Sequence, residues 1–169
     1  MNEHTLIPRP ETEYMITAVS EYTQNLQKKS EFGILLDIGT GCGVLGISVL
    51  LQNPDFYKSV FFSDISMEAL TVAKKNYDHL ITSSAYDTRF IQSDLTAFVE
   101  SYPDIVGQFP ITLVANLPYI PDETFDNNAL ENVQKWEPRL AFVGGNDGLD
   151  YYRQMFAQIQ NFQKSELIL

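Results

Sequence analysis

The sequence is poor in cysteine and in basic residues, and both shortages narrow the classes of protein it can represent. Cys42 is the single cysteine among 169 residues, which excludes an internal disulfide and a zinc site built from cysteines, and fits a reducing compartment. Eleven Lys and Arg stand against 22 Asp and Glu, giving a formal net charge of −11. Such a surface repels phosphate backbones, so broad binding of nucleic acids is not expected.

Signals for membrane insertion and secretion are also missing from the sequence. No apolar run approaches the roughly 18 to 20 residues that span a bilayer. Residues 1–4 (MNEH) contain no basic segment leading into an apolar one. The histidines His4 and His79 are isolated, and Asp122, Glu123 and Asp126 lack compact ligand spacing, so we expect a solvated loop there and no metal site. These observations predict a soluble, cytoplasmic domain without a membrane partner.

Helical and strand-like patterns alternate along the chain, which is typical of an α/β domain with a largely parallel sheet. The patterns predict strands over residues 33–38, 59–64, 89–91 and 110–115, and a strand that has barely begun at 165–169. Helices are expected over about 15–26, 44–52, 67–77 and 152–162, with Ser66 as an N-cap. The polar stretch 121–147 is expected to form turns, including one at Asn127-Asn128. We expect a single domain over residues 1–169.

A glycine-rich turn follows the first predicted strand, where residues 37–43 read DIGTGCG. Glycines allow the backbone to approach a ligand closely, and the following helix N-terminus offers free N–H donors. Residues 41–46 also fit the G-x-G-x-x-G fingerprint, with Asp64 at a suitable distance to hold ribose hydroxyls. This region therefore indicates an adenosine-containing cofactor, either NAD or S-adenosylmethionine. The simpler readings are a tight turn without a ligand and, for Asp64, a cap on the next helix.

The tetrapeptide Asn116-Leu117-Pro118-Tyr119 favours the second cofactor. It follows the fourth predicted strand, at the sheet edge where α/β proteins bind ligands. An Asn side-chain oxygen and a neighbouring backbone carbonyl could accept hydrogen bonds from a planar NH₂ group while the Tyr ring packs on it. This arrangement suits methylation of an amide or an exocyclic amine and has no use in hydride transfer. The simpler reading is an ordinary Asn-x-Pro turn.

Six sequence blocks together resemble the HemK-type protein-glutamine methyltransferases, which methylate the Gln of the Gly-Gly-Gln motif in peptide-chain release factors. The blocks are residues 6–13 (LIPRPETE), 37–43 (DIGTGCG), 63–66 (SDIS), 93–95 (SDL), 116–121 (NLPYIP) and 136–149 (WEPRLAFVGGNDGL). The first and last blocks are the most specific to that family. The resemblance implies a Rossmann-like class I S-adenosylmethionine-dependent methyltransferase fold, with helices on both faces of the sheet.

The resemblance also implies a role for individual residues. The methionine part of S-adenosylmethionine would be wrapped by Gly39, Thr40, Gly41, Cys42 and Gly43. Asp64 would bind the ribose hydroxyls, and Asp94 and Leu95 would flank the adenine. Asn116 would contact both cofactor and substrate amide, with Leu117, Pro118 and Tyr119 completing the substrate site. Asn116, Pro118 and Tyr119 are the expected catalytic residues, and Glu11, Thr12 and Glu13 are expected near the cleft.

Two departures from the family pattern keep alternatives open. Leu117 stands where the family usually has Pro, and Asn-Leu-Pro-Tyr also resembles the motif of rRNA adenine dimethylases. The alternative substrate is therefore an exocyclic amine of RNA or DNA. The family's N-terminal helical domain and final antiparallel strands are not found in the sequence, so we expect a catalytic core. A further alternative is a truncated module that binds the cofactor without turnover.

Overall fold

The computed structural model describes residues 5–82, 86–102, 109–128, 139–160 and 167–168. Short 3-10 helices cover Ala97–Ser101 and Arg139–Ala141. In chain order the remaining elements are α1 (Thr12–Gln27), β1 (Gly33–Ile38), α2 (Val44–Gln52), β2 (Tyr57–Asp64), α3 (Met67–Leu80), β3 (Asp87–Gln92), β4 (Ile111–Ala115), α4 (Asp122–Asn128), α5 (Asp150–Ile159) and β5 (Leu167–Ile168).

The five strands form one sheet in the order β3-β2-β1-β4-β5, and every neighbouring pair is parallel. β1 lies at the centre, and all six of its residues are buried, as expected for a strand covered on both faces. The short β5 pairs with the first two residues of β4, so the prediction of a strand beginning near the end of the chain is confirmed. The predicted parallel α/β architecture is also confirmed.

Alternate strand residues point to opposite faces of the sheet, and each face carries its own apolar core. On one face, Leu35 and Phe62 pack with side chains of α1 and α2. On the other face, Leu36 and Phe61 pack with the 3-10 helix Ala97–Ser101 and with α5. The sheet is therefore covered by helices on both sides, and its strand ends are left to form a cleft.

The prediction for the polar stretch 121–147 was wrong in part, because α4 forms there and includes Asn127-Asn128. This short helix is polar in sequence and is stabilised by tertiary contacts. Phe125 is buried against Phe142, with ring centroids 5.5 Å apart. Arg139 forms ion pairs with Asp122 and Asp126, at 2.8 and 3.3 Å. Asp122, Glu123 and Asp126, which were expected in a solvated loop, therefore lie on a helix, and two of them are paired with the Arg139 guanidinium.

The last predicted helix is confirmed as α5. Helical spacing predicts that its inner face consists of Tyr152, Met155, Phe156, Ile159 and Phe162, and the observed face differs in part. Met155 and Ile159 are buried, as expected, whereas Phe156 is 42% exposed. Phe162, predicted on the same face, lies outside the described residues, as do residues 136–138 of the last sequence block. Within the described part of the chain, the helices are too short or too polar to cross a membrane.

Candidate functional site

The glycine turn (residues 39–43) joins β1 to α2 and is fixed by a carboxylate from the next strand. Gly39 and Gly41 have φ of 65° and 55°, a conformation that costs other residues about 1–2 kcal/mol. The Gly41 N–H donates to Asp64 Oδ2 over 2.9 Å, and the Ser66 N–H donates to Asp64 Oδ1 over 2.9 Å. Asp64 therefore joins the turn to the start of α3, where the predicted N-cap is confirmed because Ser66 Oγ accepts from the Ala69 N–H.

Asp37, at the end of β1, holds the turn from beneath. Its Oδ2 accepts from Thr40 Oγ1 over 2.7 Å and from the Gly46 N–H over 2.9 Å. Burial raises the pKa of this carboxyl from 3.8 to about 6, against the opposing effect of the two hydrogen bonds. The sequence analysis gave Asp37 no role of its own. Its position as an acidic residue inside an apolar, buried strand could have indicated that it has a special role there.

The β3 loop (residues 93–96) forms a second wall of the cleft. Leu95 has a φ of 52°, which is uncommon for a residue with a side chain. Its carbonyl accepts from Ser63 Oγ over 3.0 Å. Gln154 Nε2, on α5, donates to Asp94 Oδ2 over 2.6 Å. Asp94 therefore lies just after β3, as the sequence predicted, and its carboxylate is hydrogen-bonded to Gln154, which belongs to none of the sequence motifs.

The Asn-Leu-Pro-Tyr segment follows β4 and divides its side chains between core and solvent. Asn116 is exposed, and the Tyr119 side chain is 61% exposed. Leu117 is only 2% exposed, and a Cβ on Gly39 would lie 2.9 Å from its Cδ2. The Tyr152 hydroxyl, on α5, donates to the Leu117 carbonyl over 3.4 Å. The leucine side chain thus packs against the glycine turn, while its carbonyl accepts a hydrogen bond from α5.

These segments enclose a main cavity of about 490 Å³, a volume typical of small-molecule sites. Tyr119 and Gly43, which is the N-cap of α2, do not line it. Sequence reasoning missed Asp37, Ser93, Tyr151 and Gln154, which also line this cavity. The predicted residues that line it are Thr12, Gly39, Thr40, Gly41, Cys42, Asp64, Asp94, Leu95, Asn116, Leu117 and Pro118.

A second cavity of about 380 Å³ adjoins the main one at Asn116 and Leu117, which line both. Tyr119 and Glu11 line this second space, and Thr12 borders both cavities. Glu13 lines neither. The exposed Asn116 side chain is therefore positioned between two concave spaces that lie side by side.

Cys42 is buried within the turn, and desolvation raises the pKa of its thiol, which disfavours the nucleophilic thiolate. Its carbonyl accepts from Asn76 Nδ2 of α3 over 2.7 Å. Among the residues described by the structure, no group of three or more His, Cys, Asp or Glu side chains could hold a metal ion.

Comparison with known proteins relates this chain to methyltransferases. A family model described as "Methyltransferase small domain" matches residues 18–133. The release factor glutamine methyltransferase of Bacillus anthracis is 35% identical over 170 aligned positions, covering 100% of this chain and 56% of that protein. The enzyme of the same name from Bacillus subtilis is 32% identical, with 100% and 55% covered. The resemblance found in the sequence blocks is confirmed, and the chain spans about half the length of these curated relatives.

Solved structures support the fold independently. The human METTL16 catalytic domain, in a complex with a MAT2A 3′UTR hairpin, matches with a TM-score of 0.63 and 12% identity, covering 99% of this chain and 57% of that one. The N-terminal domain of human METTL16 in complex with SAH matches with a TM-score of 0.57 and 15% identity, covering 96% and 54%. At such low identity these matches concern the fold alone, and they confirm the predicted Rossmann-like class I methyltransferase architecture.

Proposed function

Because this chain belongs to the methyltransferase small domain family, we propose that it binds S-adenosylmethionine and methylates the side-chain amide nitrogen of a glutamine in a protein. The proposed substrate is the Gly-Gly-Gln motif of a peptide-chain release factor, since the relatives that align along the whole chain are named for that reaction. The observation that carries the proposal is the position of Asn116, which lines both of the adjoining cavities.

The main cavity suits an adenosine-containing cofactor by shape and by its polar groups. A Cβ built on Gly41 meets no described atom within 4 Å, so the backbone there borders open space that a ligand can approach. Asp64 is the last residue of β2, and Asp94 lies just after β3. Both line the cavity, and their carboxylate oxygens can accept hydrogen bonds from ribose hydroxyls and from an exocyclic amine, respectively. The proposed cofactor residues that line this cavity are Gly39, Thr40, Gly41, Cys42, Asp64, Asp94, Leu95 and Asn116. Gly43 is retained in the proposal as the last residue of the glycine turn, although it does not line the cavity.

The second cavity is the proposed entrance for the substrate glutamine. The Asn116 side-chain oxygen and the Leu117 carbonyl would accept the two N–H groups of the substrate amide and orient its nitrogen toward the main cavity. The Tyr119 ring would pack on the planar amide, and Pro118 would restrain the turn between these groups. Leu at position 117 retains the backbone carbonyl, so the acceptor pair does not require the proline usual in the family.

S-adenosylmethionine supplies an activated methyl group on a sulfonium, so orientation of the acceptor nitrogen accounts for much of the expected rate. In the proposed step the methyl C–S bond breaks with its electron pair left on sulfur, a C–N bond forms, and one amide proton is released to solvent. An amide nitrogen is a poor nucleophile because its lone pair is delocalised. Hydrogen bonds to Asn116 and the Leu117 carbonyl increase its electron density as the C–N bond forms.

We propose that residues 1–169 act as the catalytic domain of this activity. Because the proposed substrate functions in translation termination, the proposal places the chain in the cytoplasm. The net charge of −11 also favours a protein substrate over a nucleic acid. Methylation of an exocyclic amine in RNA or DNA is the second candidate, and the observation that favours it is Leu117 within Asn-Leu-Pro-Tyr.

Transfer of a tritiated methyl group from S-adenosylmethionine tests the proposal. The acceptors are a purified release factor, the same factor with its motif Gln changed to Ala, RNA and DNA. We expect label on the unaltered factor alone, and a fall of at least about 100-fold with Asn116→Ala, since removing one positioned transition-state partner commonly costs that much. Asn25→Ala is the matched control, because Asn25 is exposed and lines neither cavity.

The other outcomes of the assay identify the other functions. Label on RNA or DNA instead of the factor would contradict glutamine methylation and support the exocyclic-amine reaction. Calorimetric binding of the cofactor without label on any acceptor would support a module that binds without turnover. Absence of cofactor binding would overturn the proposal as a whole.

A further inference from the structure

Helix α5 contacts the β3 loop through two glutamines that lie one helical turn apart. Gln158 Oε1 accepts from the Thr96 N–H and from Thr96 Oγ1, both over 2.8 Å, and its Nε2 donates to the Asp94 carbonyl over 3.4 Å. Gln154 Nε2 donates to Asp94 Oδ2 over 2.6 Å. Gln158 therefore holds the backbone of the loop, whereas Gln154 holds the side chain of its acidic residue.

The Asp94 side chain depends on this second contact for its orientation. Asp94 is exposed, and a solvated carboxylate without a partner samples several rotamers. Among the described residues, Gln154 is the side chain that hydrogen-bonds its carboxylate. The loop backbone beside it is already fixed, because Ser63 Oγ donates to the carbonyl of the left-handed Leu95. The remaining freedom is thus the rotation of the carboxylate, which Gln154 restricts.

We propose that Gln154 is a positioning residue that determines the base specificity of the cofactor site. This inference rests on the proposed function, in which Asp94 flanks the adenine. Gln154 occupies Oδ2, so Oδ1 is left to accept from the exocyclic amine of the base. A base with an oxygen at that position would present an acceptor to the carboxylate, and two acceptors repel. Gln154 and Asp94 both line the main cavity, so the contact lies at the site it would tune.

Calorimetry with two ligands tests this role. The probes are S-adenosylhomocysteine and S-inosylhomocysteine, which differ in the amine or oxygen on the purine ring. The proteins are the unaltered 169-residue chain, Gln154→Leu, which removes the donor without adding charge, and Gln154→Glu, which keeps the shape without the donor. Gln160→Leu, an exposed glutamine at the end of the same helix, is the matched control.

We expect the unaltered chain and Gln160→Leu to bind the adenosine ligand at least about 10-fold more tightly than the inosine ligand. A factor of about 10 is what the loss of one hydrogen bond to a charged group corresponds to in affinity. Both Gln154 variants should lose about 10-fold in affinity for the adenosine ligand and change by less than about threefold for the inosine ligand. The discrimination between the two ligands should therefore largely disappear.

The failures of the two proposals can be told apart. If the unaltered chain binds neither ligand, the proposed cofactor site is wrong. If it discriminates and the Gln154 variants keep the same ratio, the role of Gln154 is overturned. Equal losses for both ligands would likewise overturn it, because they indicate a structural role, and thermal unfolding of each variant would show whether the fold had changed.

Discussion

At the scale of single residues, Asp37 carries a charge in a place where burial opposes it. Its carboxylate joins Thr40 to Gly46 across the glycine turn, so the geometry of the turn depends on it. Desolvation raises its pKa from 3.8 to about 6, and the nearby charge of Asp64 adds a smaller effect in the same direction. The folded state therefore binds the proton of the Asp37 carboxyl more tightly than the unfolded state does. The stabilising contribution is complete below pH 3.8 and is lost as the pH rises through about 6.

This linkage predicts a difference between the unaltered chain and Asp37→Asn. The free energy of unfolding of the unaltered chain, relative to that of the variant, should fall between pH 4 and pH 7 by at most about 3 kcal/mol. Asn lacks the titrating proton and retains an oxygen that can accept from Thr40 and Gly46. Urea denaturation at each pH measures the difference. A difference that stays flat or rises over this range would show that the carboxyl is not held in its protonated form.

At the scale of secondary-structure elements, α5 joins the two sides of the cleft. Gln154 and Gln158 contact the β3 loop on one side, and Tyr152 donates to the Leu117 carbonyl on the other. Met155 and Ile159 anchor the helix in the core of the same sheet face. The position of α5 therefore affects both the β3 loop, which is proposed to bind the cofactor, and the Leu117 carbonyl, which is proposed to bind the substrate.

The contact between α5 and the β3 loop should be measurable as stability. Gln158→Leu removes the acceptor of the Thr96 N–H, and because Thr96 is only 1% exposed, we expect a loss of about 1–3 kcal/mol in the free energy of unfolding. Gln158→Glu keeps an acceptor for that N–H and should lose less than about 1 kcal/mol. Urea denaturation of both variants checks this, and equal losses would indicate that the loop does not depend on the acceptor.

The elements that the sequence predicted well are those whose own residues determine them. β1 is a continuous apolar run and α2 begins directly after the glycine turn, and the structure has both at the predicted bounds. Helix α4 has no such pattern. It is stabilised by residues that lie later in the chain, since Phe125 packs against Phe142 and Asp122 pairs with Arg139. A pattern read locally has no access to those partners.

The same distinction applies to the site. Strand ends meet at one edge of a parallel sheet, so the glycine turn, Asp64, Asp94 and Asn116 could be placed together from the sequence. Gln154 lies 60 residues after Asp94 along the chain, and only the packing of α5 brings the two side chains into contact. Residues of this kind belong to no motif, and the fold is needed to find them.

At the scale of the whole molecule, the net charge of −11 predicts that stability depends on salt. Like charges repel one another in the compact state, and added salt screens this repulsion. We expect the free energy of unfolding to rise by about 1 kcal/mol between about 10 and 150 mM NaCl, when the Debye length shortens from roughly 30 to 8 Å.

Reversal of two exposed acids in Glu21→Lys plus Glu31→Lys changes the net charge from −11 to −7 and should weaken the effect of salt on stability. The exposed pair Gln24→Ala plus Asn25→Ala is the uncharged control. A salt effect equal in all three proteins would show that it arises from ion binding or excluded solute and not from overall charge.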